Sequence, residues 1–281
     1  MSFATRYDGV AGGWPTTTSA NTKGAWVEYV ASSPYDSSRI WVNIQNNNST
    51  DRYTLQDVGV GAAASEVAVL DNLFYHSSDD FLDATGAPIP FDLDIASGTR
   101  ISTRLQSSTS GTQGRMQFWL EDKALGSGPD PETWGANTAD SGGTDIDCGA
   151  TPDTYSAWTE LSASIANDCN WFLGFFGHGS PSEVIGGTMR FLIDVASGAA
   201  ASEVALIEEM HVISHTETDG RRPPHLRFPI DLSSGDRVSV RALSSTGTAG
   251  DRVLSIVGIG SQEVVASPGG GGGTVASAHV G

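Results

Sequence analysis

The ten residues GAAASEVAVL at Gly61–Leu70 return almost unchanged as GAAASEVALI at Gly198–Ile207, 137 positions later. Followed outward at that offset, DVGVGAAASEVAVL (Asp57–Leu70) lies over DVASGAAASEVALI (Asp194–Ile207). Further on, FDLDIASGTRISTRLQSST (Phe91–Thr109) lies over FPIDLSSGDRVSVRALSST (Phe228–Thr246). No gap is needed from Asp57 to Leu120, and 22 of those 64 positions are identical, so the chain reads as a tandem duplication. Upstream the offset shifts: GAWVEYV (Gly24–Val30) resembles SAWTELS (Ser156–Ser162), and Trp41 and Trp171 fall in corresponding strands.

A period of this length is that of a whole domain; solenoid and propeller repeats are far shorter. The reading is one domain over 1–125, a linker over 126–144, a second domain over 145–262 and a Gly-rich arm over 263–281. The boundary falls in the polar, Gly- and Pro-bearing stretch Glu121–Asp145. Within each copy the apolar runs are short and alternate with period two. RISTRLQ (Arg100–Gln106) sets Ile101, Thr103 and Leu105 against Arg100, Ser102 and Arg104, and RVSVRAL (Arg237–Leu243) repeats this. RMQFWLED (Arg115–Asp122) and RVLSIVGIG (Arg252–Gly260) read as the next strands, entered by hairpin turns at SSTSGTQG and SSTGTAGD. RIWVNIQ and NWFLGFFG supply an earlier core strand in each copy. The expectation is an all-β fold of two tandem duplicated, jelly-roll-like β-sandwich domains with seven or eight strands each.

Composition narrows the function. The 281 residues carry a net charge of −18, and only Lys23 and Lys123 among the fifteen basic residues are lysines. Such a surface repels phosphate backbones and anionic lipid, which argues against nucleic-acid and membrane partners. The start MSFATRYDGVAGG lacks the basic-then-apolar pattern of a signal peptide, and no run reaches the about 18 apolar residues of a membrane span. Two cysteines, Cys148 and Cys169, make no disulfide framework and fit a chain made in a reducing cytoplasm.

Both copies share Glu66/Glu203, Asp94/Asp231, Arg100/Arg237, Arg104/Arg241 and Arg115/Arg252. No second acid at fixed spacing accompanies Glu66, as a glycosidase would need. The structural reading is an ion pair from Glu66 to Arg100 or Arg104, and from Glu203 to Arg237 or Arg241, holding strand register. His211 and His215 have a spacing that a metal could use, but the first copy has Phe74 and Ser78 there. Aspartates cluster without the spacing of a calcium loop, and phosphate-loop, dinucleotide and nucleophile-elbow motifs are absent. The expectation is a protein without catalytic residues, cofactor or metal.

DVGVGAAASEVAVLDNLF followed by PIPFDLDIASGTRISTRLQSS resembles repeated segments in structural proteins of tailed bacteriophages, where a G-A-x-x-S/G-E strand precedes a P-x-x-I-x-x-G-x-R-I-x-x-R-x-Q-S-S hairpin. Both elements occur twice and cover about half the chain. The resemblance implies a virion protein, foremost a capsid decoration (cement) protein that bridges subunits of the major capsid protein as a homotrimer. A tail or fibre component, or a carbohydrate-binding module, is the alternative. Such a protein would be made in the host bacterial cytoplasm and end in the virion. Finally, five consecutive glycines precede TVASAHV, which reads as a flexible arm docking on a partner through Thr274, Val275 and Val280.

Overall fold

The computed structural model describes residues 5–7, 14–46, 52–77, 88–122, 129–178, 189–214 and 226–262. The arm with Thr274, Val275 and Val280 lies outside the described residues, as does His215. Among the described residues every regular element is a β-strand.

The first half contributes β1 (Thr5–Tyr7), β2 (Val27–Val30), β3 (Ser37–Asn46), β4 (Arg52–Val60), β5 (Val67–Ser77), β6 (Ile89–Ile95), β7 (Ile101–Ser107) and β8 (Gly114–Asp122). They form two four-stranded antiparallel sheets in the orders β1-β8-β3-β6 and β2-β7-β4-β5. After the short β9 (Glu132–Trp134), the second half contributes β10 (Thr144–Asp147), β11 (Thr159–Ser162), β12 (Cys169–His178) and β13 (Met189–Ser197). It continues with β14 (Val204–Ser214), β15 (Leu226–Leu232), β16 (Val238–Ser244) and β17 (Val253–Ser261). Their orders, β10-β17-β12-β15 and β11-β16-β13-β14, match the first half strand for strand. Among the described residues each half is thus a jelly-roll sandwich built on eight strands, to which the second half adds β9 as a ninth.

Three local readings need correction. The connections from β6 to β7 and from β7 to β8 pass between the two sheets, as do their counterparts in the second half, so none is a hairpin. The connection from β7 to β8 is six residues, 108–113, and that from β16 to β17 eight, 245–252. Either suffices to cross the roughly 10 Å between packed sheets, whereas the tightest hairpins use two loop residues. The segment Gly61–Glu66 is a turn and not a strand, with Gly61 at φ 116° and Ala64 at φ 65°; Gly198 and Ala201 repeat it at 113° and 64°. The stretch read as a linker also carries β9, which pairs with the end of β17 beyond β10 and buries Trp134 in the second core. Gln106 Nε2 donates to the Thr138 carbonyl and to Ser141 Oγ, which ties that stretch to the first sandwich as well.

The sandwiches are joined by a sheet with two apolar faces. Along β12, Phe172 and Phe176 enter the second core while Leu173 and Phe175 enter the first. Along β17, Leu254 and Ile256 face the second core, and Val257 and Ile259 face the first. The strands β12 and β9 lie against β5, and Gly177 leaves room for the Phe74 ring, to which an added Cβ would approach within 2.7 Å. Burial on both faces replaces the alternating pattern of a half-exposed strand with a continuous apolar run, as in NWFLGFFG.

Candidate functional site

On the outer face of one sheet, each sandwich carries a β-bulge built around a buried aspartate. In the first, Gln56 pairs with Leu73 and Val58 with Leu70, so Asp57 alone opposes Asp71 and Asn72. Asn72 takes the left-handed conformation at φ 53°. Its backbone N–H, freed from the ladder, donates to Asp57 Oδ1 at 2.8 Å. Arg104 Nε donates to Asp57 Oδ2 at 2.7 Å, and its guanidinium lies 4.4 Å from the centre of the Trp26 ring. Lys23 fills the remaining space, with Nζ donating to Asp57 Oδ1 at 2.5 Å and Asn72 Oδ1 at 2.8 Å. Burial pulls the Lys23 pKa down, against the opposing attraction of Asp57.

The second sandwich repeats the frame and changes its contents. Asp194 opposes Glu208 and Glu209, since Ile193 pairs with Met210 and Val195 with Ile207. Glu209, at φ 54°, donates its N–H to Asp194 Oδ1 at 2.8 Å. Arg241 Nε donates to Asp194 Oδ2 at 2.8 Å and packs over Tyr155 and Trp158, 4.4 and 4.5 Å from their ring centres. Tyr155 precedes Trp158 by three residues, as Lys23 precedes Trp26. Its hydroxyl donates to Asp194 Oδ1 at 3.2 Å, so it takes the place of the lysine without bringing a charge. Burial first, then the charges of Asp194 and Glu209, push the Tyr155 hydroxyl up to about 12. What results is an open cleft of about 450 Å³ lined by Tyr155, Asp194, Glu208, Glu209 and Arg241.

The shared Glu–Arg residues close the turn beside each bulge. Arg100 Nη1 donates to Glu66 Oε1 at 2.7 Å and to the Gly61 carbonyl at 3.4 Å, while its Nε donates to Glu28 at 2.7 Å. Arg237 makes the matching set to Glu203 at 3.1 Å, the Gly198 carbonyl at 3.2 Å and Glu160 at 2.8 Å. One guanidinium therefore ties β2 or β11 to the turn that opens β5 or β14. Arg104 and Arg241 do not reach these glutamates, because they face the aspartate of the bulge. Desolvation raises the Glu66 pKa, but the hydrogen bond and charge of Arg100, with backbone amides, outweigh it and hold the carboxyl below its usual range. For Glu203 the balance falls the same way.

The other shared residues do not act alike. Arg252 makes a two-point pair with Asp147 at 2.7 and 3.1 Å, whereas Arg115 stacks 3.6 Å from the Trp14 ring centre. Asp94 and Asp231 are exposed on β6 and β15. Ser102 and Ser239, on the arginine face of their strands, are nonetheless buried. His211 is exposed on β14, and no group of three His, Cys, Asp or Glu among the described residues could hold a metal ion. Cys148 and Cys169 are free and buried, and burial is the first cause that pushes both thiols up to about 12. Asp57, Asp194, Glu28, Glu160, Lys23 and Tyr155 were not singled out in the sequence. The signal was there: Asp57 opens the aligned segment over Asp194, and the shifted upstream match sets Glu28 over Glu160.

No protein-family model and no curated protein matches the chain. Among solved structures, the chain is similar to PNGF-II at 8% identity and TM-score 0.39, over 93% of this chain and 65% of that one. It thus spans just under two thirds of that protein. Tandem CBM51 modules of a family 98 glycoside hydrolase from Streptococcus pneumoniae align at 10% identity and TM-score 0.22, over 93% of this chain and 97% of theirs. The VP2 subviral particle of infectious bursal disease virus aligns at 12% identity and TM-score 0.20, over 95% and 70%. None of these likenesses bears on what this chain does.

Proposed function

We propose that the chain is a structural subunit of a bacteriophage particle, and specifically a decoration protein that bridges major capsid protein subunits on the head as a trimer. The observation that carries this reading is the use made of the duplicated charges. Glu66, Arg100, Asp57 and Arg104, with Glu203, Arg237, Asp194 and Arg241, bond to turns and bulges of their own sandwich. What the two copies hold in common is therefore a device for fixing loops on a sandwich, which suits a load-carrying module. The shared sheet between the cores adds to this, since it makes the pair of sandwiches one body with an apolar joint. The bacteriophage assignment itself rests on the sequence resemblance.

The test is fractionation of disrupted particles with an antibody against the chain, joined to light scattering on the purified protein. The expected outcome is recovery with heads, trimeric mass, and heads that lose heat resistance when the chain is removed. Recovery with tails alone, or a monomer that does not bind heads, would overturn the proposal.

A further inference from the structure

The two bulges differ by two charges and by what covers them. In the first, Lys23 and Arg104 balance Asp57 and the neighbouring Asp71. In the second, Arg241 alone faces Asp194, Glu208 and Glu209, which leaves the cleft at a net −2. The first copy also shows what this frame accepts, because it holds a primary ammonium against the aspartate and the bulge residue. The sheet face beside it is covered by protein: Phe74 is 2% exposed under the second sandwich, and Thr133 Oγ1 of β9 donates to the Asp71 carbonyl at 2.7 Å. On β14 the corresponding face is bare among the described residues, with Leu206 at 41% and Ile213 at 46% exposure beside the cleft.

We propose that the outer face of β14 docks a partner protein, which inserts one lysine ammonium among Asp194, Glu208 and Glu209 and lays apolar surface on Leu206 and Ile213. The first sandwich is the internal precedent for both halves of this contact: an ammonium in the bulge, and a sheet across the strand. The lysine is assigned to a different polypeptide, and substitution of the chain's own Lys123 tests that assignment. The chain owns only two lysines, and Lys23 is already bound to Asp57. Exposed carboxylates on the cleft wall draw in a basic partner and set its orientation, while the apolar contact supplies the buried area. The inference stands apart from the particle assignment, because it follows from the cleft and the strand face alone.

The experiment is an NMR titration of the full chain with Nα-acetyl-lysine methylamide, with the norleucine analogue as the uncharged control. The lysine probe is expected to bind saturably in the millimolar range and the norleucine probe about three- to fivefold more weakly, the ratio that one exposed ion pair gives. Glu209→Asn installs the residue that the first copy carries at the same φ, so it is expected to fold while losing most of the binding. The double variant Tyr155→Lys with Glu209→Asn fills the cleft from within and is expected to abolish binding; thermal melts verify that both variants fold. Lysine binding unchanged in Glu209→Asn, or equal binding of the two probes, would overturn the proposal. So would cadaverine binding more than tenfold tighter than the lysine probe, since the site would then be one for a free diamine. Sedimentation that shows self-association lost on Lys123→Ala would overturn the assignment to a different polypeptide.

Discussion

Asn72 and Glu209 hold the same left-handed backbone conformation, at φ 53° and 54°, and each donates its N–H at 2.8 Å to the aspartate across the bulge. Asparagine tolerates this region better than glutamate, whose Cβ and longer chain gain nothing local in return. Glu209→Asn is therefore expected to stabilise the protein by up to about 1 kcal/mol, a part of the roughly 1–2 kcal/mol that the left-handed region costs an ordinary residue. It also removes a negative charge from beside Asp194 and Glu208. A lower melting temperature in the variant would contradict this account of the bulge.

The two bulge aspartates should differ in their worth. Asp57, 1% exposed, meets both Lys23 and Arg104, whereas Asp194 meets Arg241 and a neutral tyrosine. Asp57→Ala leaves a partly buried ammonium without its counter-charge and an unpaired bulge N–H, and is expected to cost about 3–5 kcal/mol. Asp194→Ala is expected to cost less, because it strands no second cation. Chemical denaturation of the two variants ranks them, and equal losses would mean that Lys23 adds nothing.

Acid should weaken the turns through Glu66 and Glu203. Both carboxyls are held below their usual range in the folded chain, so the folded state binds fewer protons than the unfolded state as the pH falls through these groups. Their stabilisation is complete above the unfolded carboxylate range, about pH 4.3, and is lost as the pH drops through the depressed folded values. The double variant Glu66→Gln with Glu203→Gln is expected to show a flatter decline of melting temperature below about pH 5 than the parent chain. Parallel acid profiles would show that the Arg100 and Arg237 clasps do not couple to folding.

Phe175 lies on β12 of the second sandwich and packs in the core of the first, at 6% exposure. Phe175→Ala removes that ring from the joint and is expected to cost about 3–5 kcal/mol. Calorimetry of the parent chain is expected to give one cooperative transition, and of the variant two separable ones, because the sandwiches then melt with less mutual support. Two transitions in the parent would mean that the joint carries little coupling.

The strands themselves were legible because alternation is a local property. RISTRLQ and RVSVRAL set their period-two pattern with no help from elsewhere, and β7 and β16 form over Ile101–Ser107 and Val238–Ser244. The repeat likewise announced two similar halves. What each strand pairs with was not local: a connection of six or eight residues serves a loose hairpin or a crossing between sheets equally well, and closing a sandwich around two apolar faces selected the crossing. One difference between the copies was written in the sequence without its meaning. RMQFWLED alternates because the outer face of β8 is only half buried, while its counterpart RVLSIVGIG is buried along its length because β17 serves two cores. Only the packed structure identifies the first sandwich as the second partner of that strand.

The same division holds at the cleft. The exchange of Lys23 for Tyr155 and of Asn72 for Glu209 stands in the aligned sequences. That these positions meet at one point depends on the bulges, which set two residues against one aspartate and turn a left-handed amide toward it. Sequence alone determined the strand periodicity, the internal repeat and the charge balance, since each is carried by the order of residues along the chain or by composition. Tertiary structure decided the sheet order, the two-faced joint and the open acidic cleft, because those depend on contacts between residues that the chain brings together only when the sandwiches close.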